Sequence, residues 1–78
     1  MTGQQIKTIE AMKARHAETR EGEATVRTKH SDHFPSQVIV TMRSRWFQLI
    51  AFVKSDGSVY GYKSGHKERF HGVEECVS

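Results

Sequence analysis

The sequence predicts an α+β domain in which one N-terminal amphipathic helix packs on a three- to four-stranded antiparallel sheet. Three observations carry that expectation. A helical cap and an apolar stripe open the chain, alternating β-branched runs fill its middle, and Asp56-Gly57 marks a hairpin between two such runs. With 78 residues, 36% of them hydrophobic and 27% charged, the chain fits a single small domain. Its stability should be modest, roughly 4–12 kcal/mol by the usual per-residue range.

The helix is expected over about residues 3–20. Thr2 can accept the amide of Gln5 while the Gln5 side chain returns to the Thr2 amide, so two donors without helical partners are satisfied together. Ile6, Ile9 and Met12 follow at threes, Ala14 and Ala17 extend a narrow apolar stripe, and Gly22 supplies a left-handed stop. A helix of this length needs a surface to lie on.

Strands supply that surface. Residues 24–29 alternate, with Ala24, Val26 and Thr28 on one side and Thr25, Arg27 and Lys29 on the other. The segment 30–36 reads as a loop containing Pro35, which cannot sit in a central strand. Two further strands are expected over about 37–43 and 46–54, and the second is apolar on both faces, as for a central strand covered on both sides. Arg43-Ser44-Arg45 between them contains no turn-forming Gly, Asn or Pro and fits both a tight turn and a bend in one long strand.

Asp56-Gly57 is expected to form a two-residue type I′ turn leading into a strand over 58–63. That loop length pairs Val53 with Tyr60, Phe52 with Gly61, Ala51 with Tyr62 and Ile50 with Lys63. One face then carries Phe47, Leu49, Ala51, Val53, Tyr60 and Tyr62, and the other Ile50, Phe52, Lys54, Val59, Gly61 and Lys63. Phe52 would cover the bare Gly61. The expected core is Ile6, Ile9, Met12, Val26, Val38, Val40, Leu49, Ala51 and Val53, with Tyr60 or Tyr62 at its margin. In the tail 64–78, Gly65 and Gly72 bracket a basic-aromatic piece, and Val73 to Val77 reads as a short edge strand or a frayed end.

Several function classes find little support. A single cysteine, Cys76, excludes an internal disulfide framework, and Glu74 and Glu75 beside it oppose thiolate chemistry. The N-terminus lacks the pattern of a secretory leader, and the apolar run 49–53 is too short to cross a bilayer, so a cytoplasmic protein without membrane contact is expected. His30 and His33 (H-x2-H), His66 and His71 (H-x4-H) and Cys76 are metal-ligand types, but structural zinc sites favour thiolates. No metal or cofactor is expected, and no glycine-rich phosphate loop occurs.

Charge is distributed unevenly. Up to Glu23, four basic side chains (Lys7, Lys13, Arg15, Arg20) meet four acidic ones (Glu10, Glu18, Glu21, Glu23). Between Ala24 and Val73, eight basic side chains face only Asp32, Asp56 and Glu68. The strand-rich part is therefore the cationic part, which favours an anionic partner. Arg27, Lys29, Arg43, Arg45, Lys54, Lys63, Lys67 and Arg69 are interleaved with Trp46, Phe52, Tyr60, Tyr62 and Phe70, and the candidate binding set is these cations with Trp46, Tyr60 and Tyr62. Charge beside stacking rings is how single-stranded nucleic acid is held, and Trp, Tyr and Arg are also the residues enriched at the energetic centres of protein interfaces. The same mixture also serves any small sheet, as rings for a core and cations for a solvated face.

The expected function is that of a small non-enzymatic protein that attaches to a larger nucleic-acid-handling protein or nucleoprotein complex and regulates or inhibits it. Direct binding of single-stranded or duplex nucleic acid is the second reading, and a ribonuclease using a histidine pair the third. A sheet edge is open to pairing with a second copy, giving a homodimer. The anion-seeking surface is tied to two conditions, and the failure of either is expected to remove it: Lys54 and Lys63 are not directed away from each other, and Arg43, Arg45 and Arg69 stay clear of the chain's own carboxylates.

Overall fold

Thr2 and Gln5 start the first helix by satisfying each other's backbone amides, as expected. The Gln5 amide donates to Thr2 Oγ1 at 3.1 Å, and the Thr2 amide donates to Gln5 Oε1 at 2.8 Å. In the computed structural model, which describes residues 1–19, 24–45, 47–63 and 67–77, this helix, α1, spans Gly3–Thr19. The expected glycine stop at Gly22, the ring of Trp46, and Gly65 with His66 lie outside the described residues.

The buried stripe of α1 is Gln5, Thr8, Ile9, Met12 and His16, not the expected Ile6, Ile9, Met12, Ala14 and Ala17. Ile6 is 50% exposed, and Ala14 and Ala17 face solvent. Hydrogen bonds explain the offset. The Gln5 amide group donates to the Ser36 carbonyl at 2.8 Å and the Val53 carbonyl at 3.1 Å, and Thr8 Oγ1 donates to the Gly57 carbonyl. His16 Nε2 lies 3.2 Å from Ser44 Oγ, with its ring against Phe47 at 5.4 Å between centroids. Buried polar groups with partners, rather than apolar side chains alone, set the rotation of α1.

The helix lies on one face of a five-stranded antiparallel sheet, one strand more than the upper expectation. The strands are β1 (Thr25–His30), β2 (Val38–Ser44), β3 (Phe47–Val53), β4 (Val59–Lys63) and β5 (Glu68–His71), in the spatial order β1-β2-β3-β4-β5. Every neighbour is consecutive, the simplest connectivity a sheet can have. The β1–β2 connection closes with the Ser31 amide on the Gln37 carbonyl at 3.2 Å and the Gln37 amide on the Phe34 carbonyl at 2.8 Å, a turn with Pro35 at its second position. Ser44 pairs with Phe47, so the Arg43-Ser44-Arg45 segment leads into a tight turn rather than a bend in one long strand.

The β3–β4 hairpin differs from expectation by one residue. The Gly57 amide donates to the Lys54 carbonyl at 2.9 Å, and the Lys54 amide donates to the Ser58 carbonyl at 2.8 Å, which leaves Ser55, Asp56 and Gly57 as a three-residue loop. Gly57 alone takes a positive φ, 91°, as the left-handed residue of such a loop requires. Asp56 Oδ1 holds the turn by accepting from the Ser58 amide at 2.9 Å and Ser58 Oγ at 2.7 Å. The loop is also tied to α1 through Thr2 Oγ1, which donates to the Ser55 carbonyl at 2.9 Å, and through Thr8.

A one-residue change of register turns every side chain of a strand to the opposite face. Val53 pairs with Val59, Phe52 with Tyr60, Ala51 with Gly61, Ile50 with Tyr62 and Leu49 with Lys63. Val59, Gly61 and Lys63 therefore stand on the helix side, while Tyr60 and Tyr62 join Ile50 and Phe52 on the other. Gly61 has lost Phe52 as its neighbour, but Phe70 on β5 stands opposite it instead. A Cβ at Gly61 would overlap the Ile50 carbonyl oxygen and lie 2.9 Å from the Ala51 Cα, so the close approach of β3 and β4 requires glycine there.

The core lies between α1 and this face of the sheet. It comprises Ile9, Met12, Val38, Val40, Met42, Leu49, Ala51, Val53, Val59, Phe70, Cys76 and Val77, with Ala24, Val26, Phe47 and Val73 packed at its border. Ile6 does not belong to it, Val26 is only half-buried, and the tyrosines expected at its margin are on the far face. Val73–Cys76 is neither an edge strand nor a frayed end but one helical turn, α2, after Gly72 at φ 82°. Lys63 Nζ donates to the Glu75 carbonyl of α2 at 2.8 Å and lies 3.8 Å from the Glu68 carboxylate. Among the described residues no helix is long and apolar enough to cross a membrane.

Candidate functional site

The face of the sheet opposite α1 is crossed by no element among the described residues. The expectation that β3 is covered on both sides therefore holds for one side only. Cross-strand pairing lays the side chains of the open face out in rows. One row reads Arg27, Thr41, Ile50, Tyr62, Arg69 from β1 to β5, and the next reads Lys29, Ile39, Phe52, Tyr60, His71. A third, shorter row is Thr25, Arg43, Gln48. At the usual strand spacing of about 4.8 Å, a full row spans about 19 Å.

Both full rows share one design. Each has a cation on β1, apolar side chains or rings in the middle, and a cation or histidine on β5. Ile39, Ile50, Phe52, Tyr60 and Tyr62 are half-buried by their neighbours alone and form a continuous floor. Phe52 and Tyr60 stack at 5.3 Å with 25° between their planes. Lys54 Nζ stands 5.5 Å from the Tyr60 ring centroid and the Arg69 guanidinium 5.9 Å from that of Tyr62, within reach of a cation–π contact. The Tyr60 hydroxyl donates to Gln37 Oε1 at 3.3 Å.

Among the described strand residues this face carries no carboxylate. Arg27, Lys29, Arg43, Lys54 and Arg69 form no ion pair among the described residues. The acids of the sheet lie elsewhere. Glu68 is on the helix side with Lys63, and Asp32 and Asp56 are in the connections at the end of the sheet that holds the β1–β2 and β3–β4 loops. The Asp56 carboxyl is held below its ordinary range by its side-chain and backbone bonds to Ser58, with Lys54 adding to the effect. Exposed Arg45 and Lys67 occupy the turns at the other end, next to Arg43 and Arg69.

Of the residues expected from the sequence to act together, the structure brings Arg27, Lys29, Arg43, Lys54, Tyr60, Tyr62 and Arg69 onto one face. Arg45 and Lys67 border it. Lys63 is turned away from Lys54, under α2 and 9% exposed, so the first of the two conditions fails and the anion-seeking surface expected around that pair does not exist; the cations that share the open face are a different set, without Lys63. Trp46 lies outside the described residues, and its neighbour Phe47 faces the helix side against His16. Phe52 joins the face as one of the interleaved rings, whereas Phe70 is buried on the helix side, and Ile39, Ile50 and His71 complete the face without having been expected there. The signal for Ile50 and Phe52 is the two-sided apolar character of β3, which in the sequence alone reads as burial on both sides.

Among the described residues, His30 and His33 lie at the end of β1 and in the connection that follows it. His16 is buried under α1, while His30 and His71 lie on opposite edge strands. Among the described residues no three His, Cys, Asp or Glu side chains converge as metal ligands. Cys76 is buried, and that burial pushes its thiol pKa up against the lowering fields of Arg15 and Lys63. No protein-family model matches the chain, and no curated protein or solved structure matches it either.

Proposed function

We propose that this chain is a non-catalytic binding protein that attaches through the open face of its sheet to nucleic-acid-handling machinery and regulates or inhibits it. One observation carries the reading: a sheet face without a carboxylate among its described strand residues, on which Arg27, Lys29, Arg43, Lys54 and Arg69 surround a floor of Ile39, Ile50, Phe52, Tyr60 and Tyr62. A floor of this kind contributes desolvation energy, and its cationic rim selects and steers a partner of opposite charge. Nucleic acid held by such machinery, and acidic protein surfaces that imitate it, carry that charge. The separation of His30 from His71, on opposite edge strands about 19 Å apart at normal strand spacing, weighs against acid–base chemistry by that pair.

Affinity capture from a lysate of the native host, with and without nuclease, tests this. The wild-type chain is expected to retain one nucleic-acid-handling complex in stoichiometric amount. The double variant Arg27→Glu, Arg43→Glu is expected to lose it while melting within a few degrees of wild type, since both side chains are exposed and unpaired among the described residues. Equal recovery by both proteins would refute the proposal.

A further inference from the structure

The two kinds of side chain on the open face are arranged in contact, ring beside cation, and this narrows the partner. Tyr60 and Tyr62 are two residues apart on β4, about 6.8 Å, and both point outward. Lys54 and Arg69 stand over those two rings. A partner that meets a ring and a cation together, repeatedly and at short spacing, needs flat π surfaces alternating with negative charge.

We propose that the open face binds a single strand of nucleic acid, two or three bases lying against Phe52, Tyr60 and Tyr62, with phosphates on Lys54 and Arg69 and then on the β1–β2 cations. This rests on the binding-protein reading above and names its contact as the nucleic acid itself. Small sheets that display two or three rings hold unpaired bases by stacking, while cations track the backbone. A duplex hides its base faces, and among the described residues no helix lies on this face to enter a groove. A second copy on the same face would set five cations against five, so self-association through it is repelled. An acidic protein surface would satisfy the charges but leave the rings without matching flat partners. Ring faces and phosphates are common to RNA and DNA, so binding is indifferent to the sugar.

Fluorescence anisotropy with labelled uridine and thymidine dodecamers tests this. Both should bind within about threefold of each other at about 50 mM salt, and affinity should fall steeply as salt rises because counterions are released. Tyr60→Ala and Tyr62→Ala should each weaken binding about 5- to 100-fold, whereas Tyr60→Phe and Tyr62→Phe, which keep the rings, should not. Arg69→Glu at an exposed position should also weaken it, and melting curves establish that each variant is folded. Lack of binding at low salt overturns the inference. So does equal affinity for a duplex of the same length, indifference to both Tyr→Ala changes, or displacement by poly-glutamate as readily as by unlabelled oligonucleotide. If oligonucleotides fail while nuclease-resistant capture still depends on Arg27 and Arg43, the inference falls and the binding-protein reading stands. If that capture fails too, both fall.

Discussion

Replacing Gln5 by alanine should cost this domain a large part of its stability. Gln5 is 2% exposed, and its side chain makes three bonds: it accepts from the Thr2 amide at 2.8 Å and donates to the Ser36 and Val53 carbonyls at 2.8 and 3.1 Å. Alanine keeps the Gln5 backbone amide on Thr2 Oγ1 but removes all three side-chain bonds and leaves two carbonyls beside the helix without their donor. At about 1 kcal/mol net for each bond, the loss is about 3 kcal/mol, against roughly 4–12 kcal/mol for a domain of this length. The melting temperature should fall by about 12–24 °C, because 1 kcal/mol moves a domain this small by about 4–8 °C. Thermal unfolding followed by circular dichroism reads the change, and Gln4→Ala, an exposed neighbour on the same turn, is the control expected to stay within about 0.5 kcal/mol of wild type. Gln5→Met separates bonding from volume, since it fills nearly the same space without donors. If Gln5→Ala melts within about 4 °C of wild type, or Gln5→Met restores wild-type stability, hydrogen bonding does not anchor α1 and the account of its rotation is wrong.

Three further outcomes are expected. Gly61→Ala should destabilise by about 1–3 kcal/mol or more in urea unfolding, because the added Cβ meets the β3 backbone rather than a side chain that can move aside. Lys63→Met should lower stability by about 1–2 kcal/mol by leaving the Glu75 carbonyl without its charged donor, yet leave oligonucleotide affinity unchanged, because Lys63 faces α2 and not the open face. The lowered Asp56 pKa fixes a pH dependence: its stabilisation is present in full above the ordinary value of 3.8 and is lost as pH falls through the lower folded value. Melting temperatures of wild type and Asp56→Ala should therefore differ at pH 6 and converge in strong acid, and a difference that persists there would show that the carboxylate's charge is not what holds the turn.

What was legible in the sequence was what local chemistry decides. The Thr2–Gln5 cap is a relation between residues three apart and needs no knowledge of the rest of the chain. The phase of β1, with Val26 inward and Arg27 and Lys29 outward, follows from alternation, and so does that of β3. The rotation of α1 was not legible, because Gln5 and Thr8 reach carbonyls some fifty positions away and are buried for that reason, while Ile6 has no cavity to enter. The last strand was not legible either: Glu68-Arg69-Phe70-His71 carries one apolar residue, and only the finished sheet shows that Phe70 has Gly61 to lie against.

Most of the residues expected to act together share one face, but in a different register from the expected one, and a single loop residue accounts for the difference. Asp56-Gly57 fits a two-residue turn in isolation, but the tie from α1 to the Ser55 and Gly57 carbonyls and the Asp56–Ser58 bonds favour the three-residue loop. In the shorter loop, Tyr60 and Tyr62 would face α1 and bring two hydroxyls into a core filled by Met12, Val40, Met42 and Val53, where an unpartnered hydroxyl is costly. The longer loop gives that space to Val59 and Gly61, which fit under the helix, and sends both phenols to the far face, where the Tyr60 hydroxyl donates to Gln37. It also carries Lys63 to the one place on the helix side where a backbone carbonyl and a carboxylate wait for it. The packing demands of the core and the exposure of the rings are thus settled together, so the same register that removes the Lys54–Lys63 pair assembles the face, without a carboxylate among its described strand residues, on which the proposed function rests.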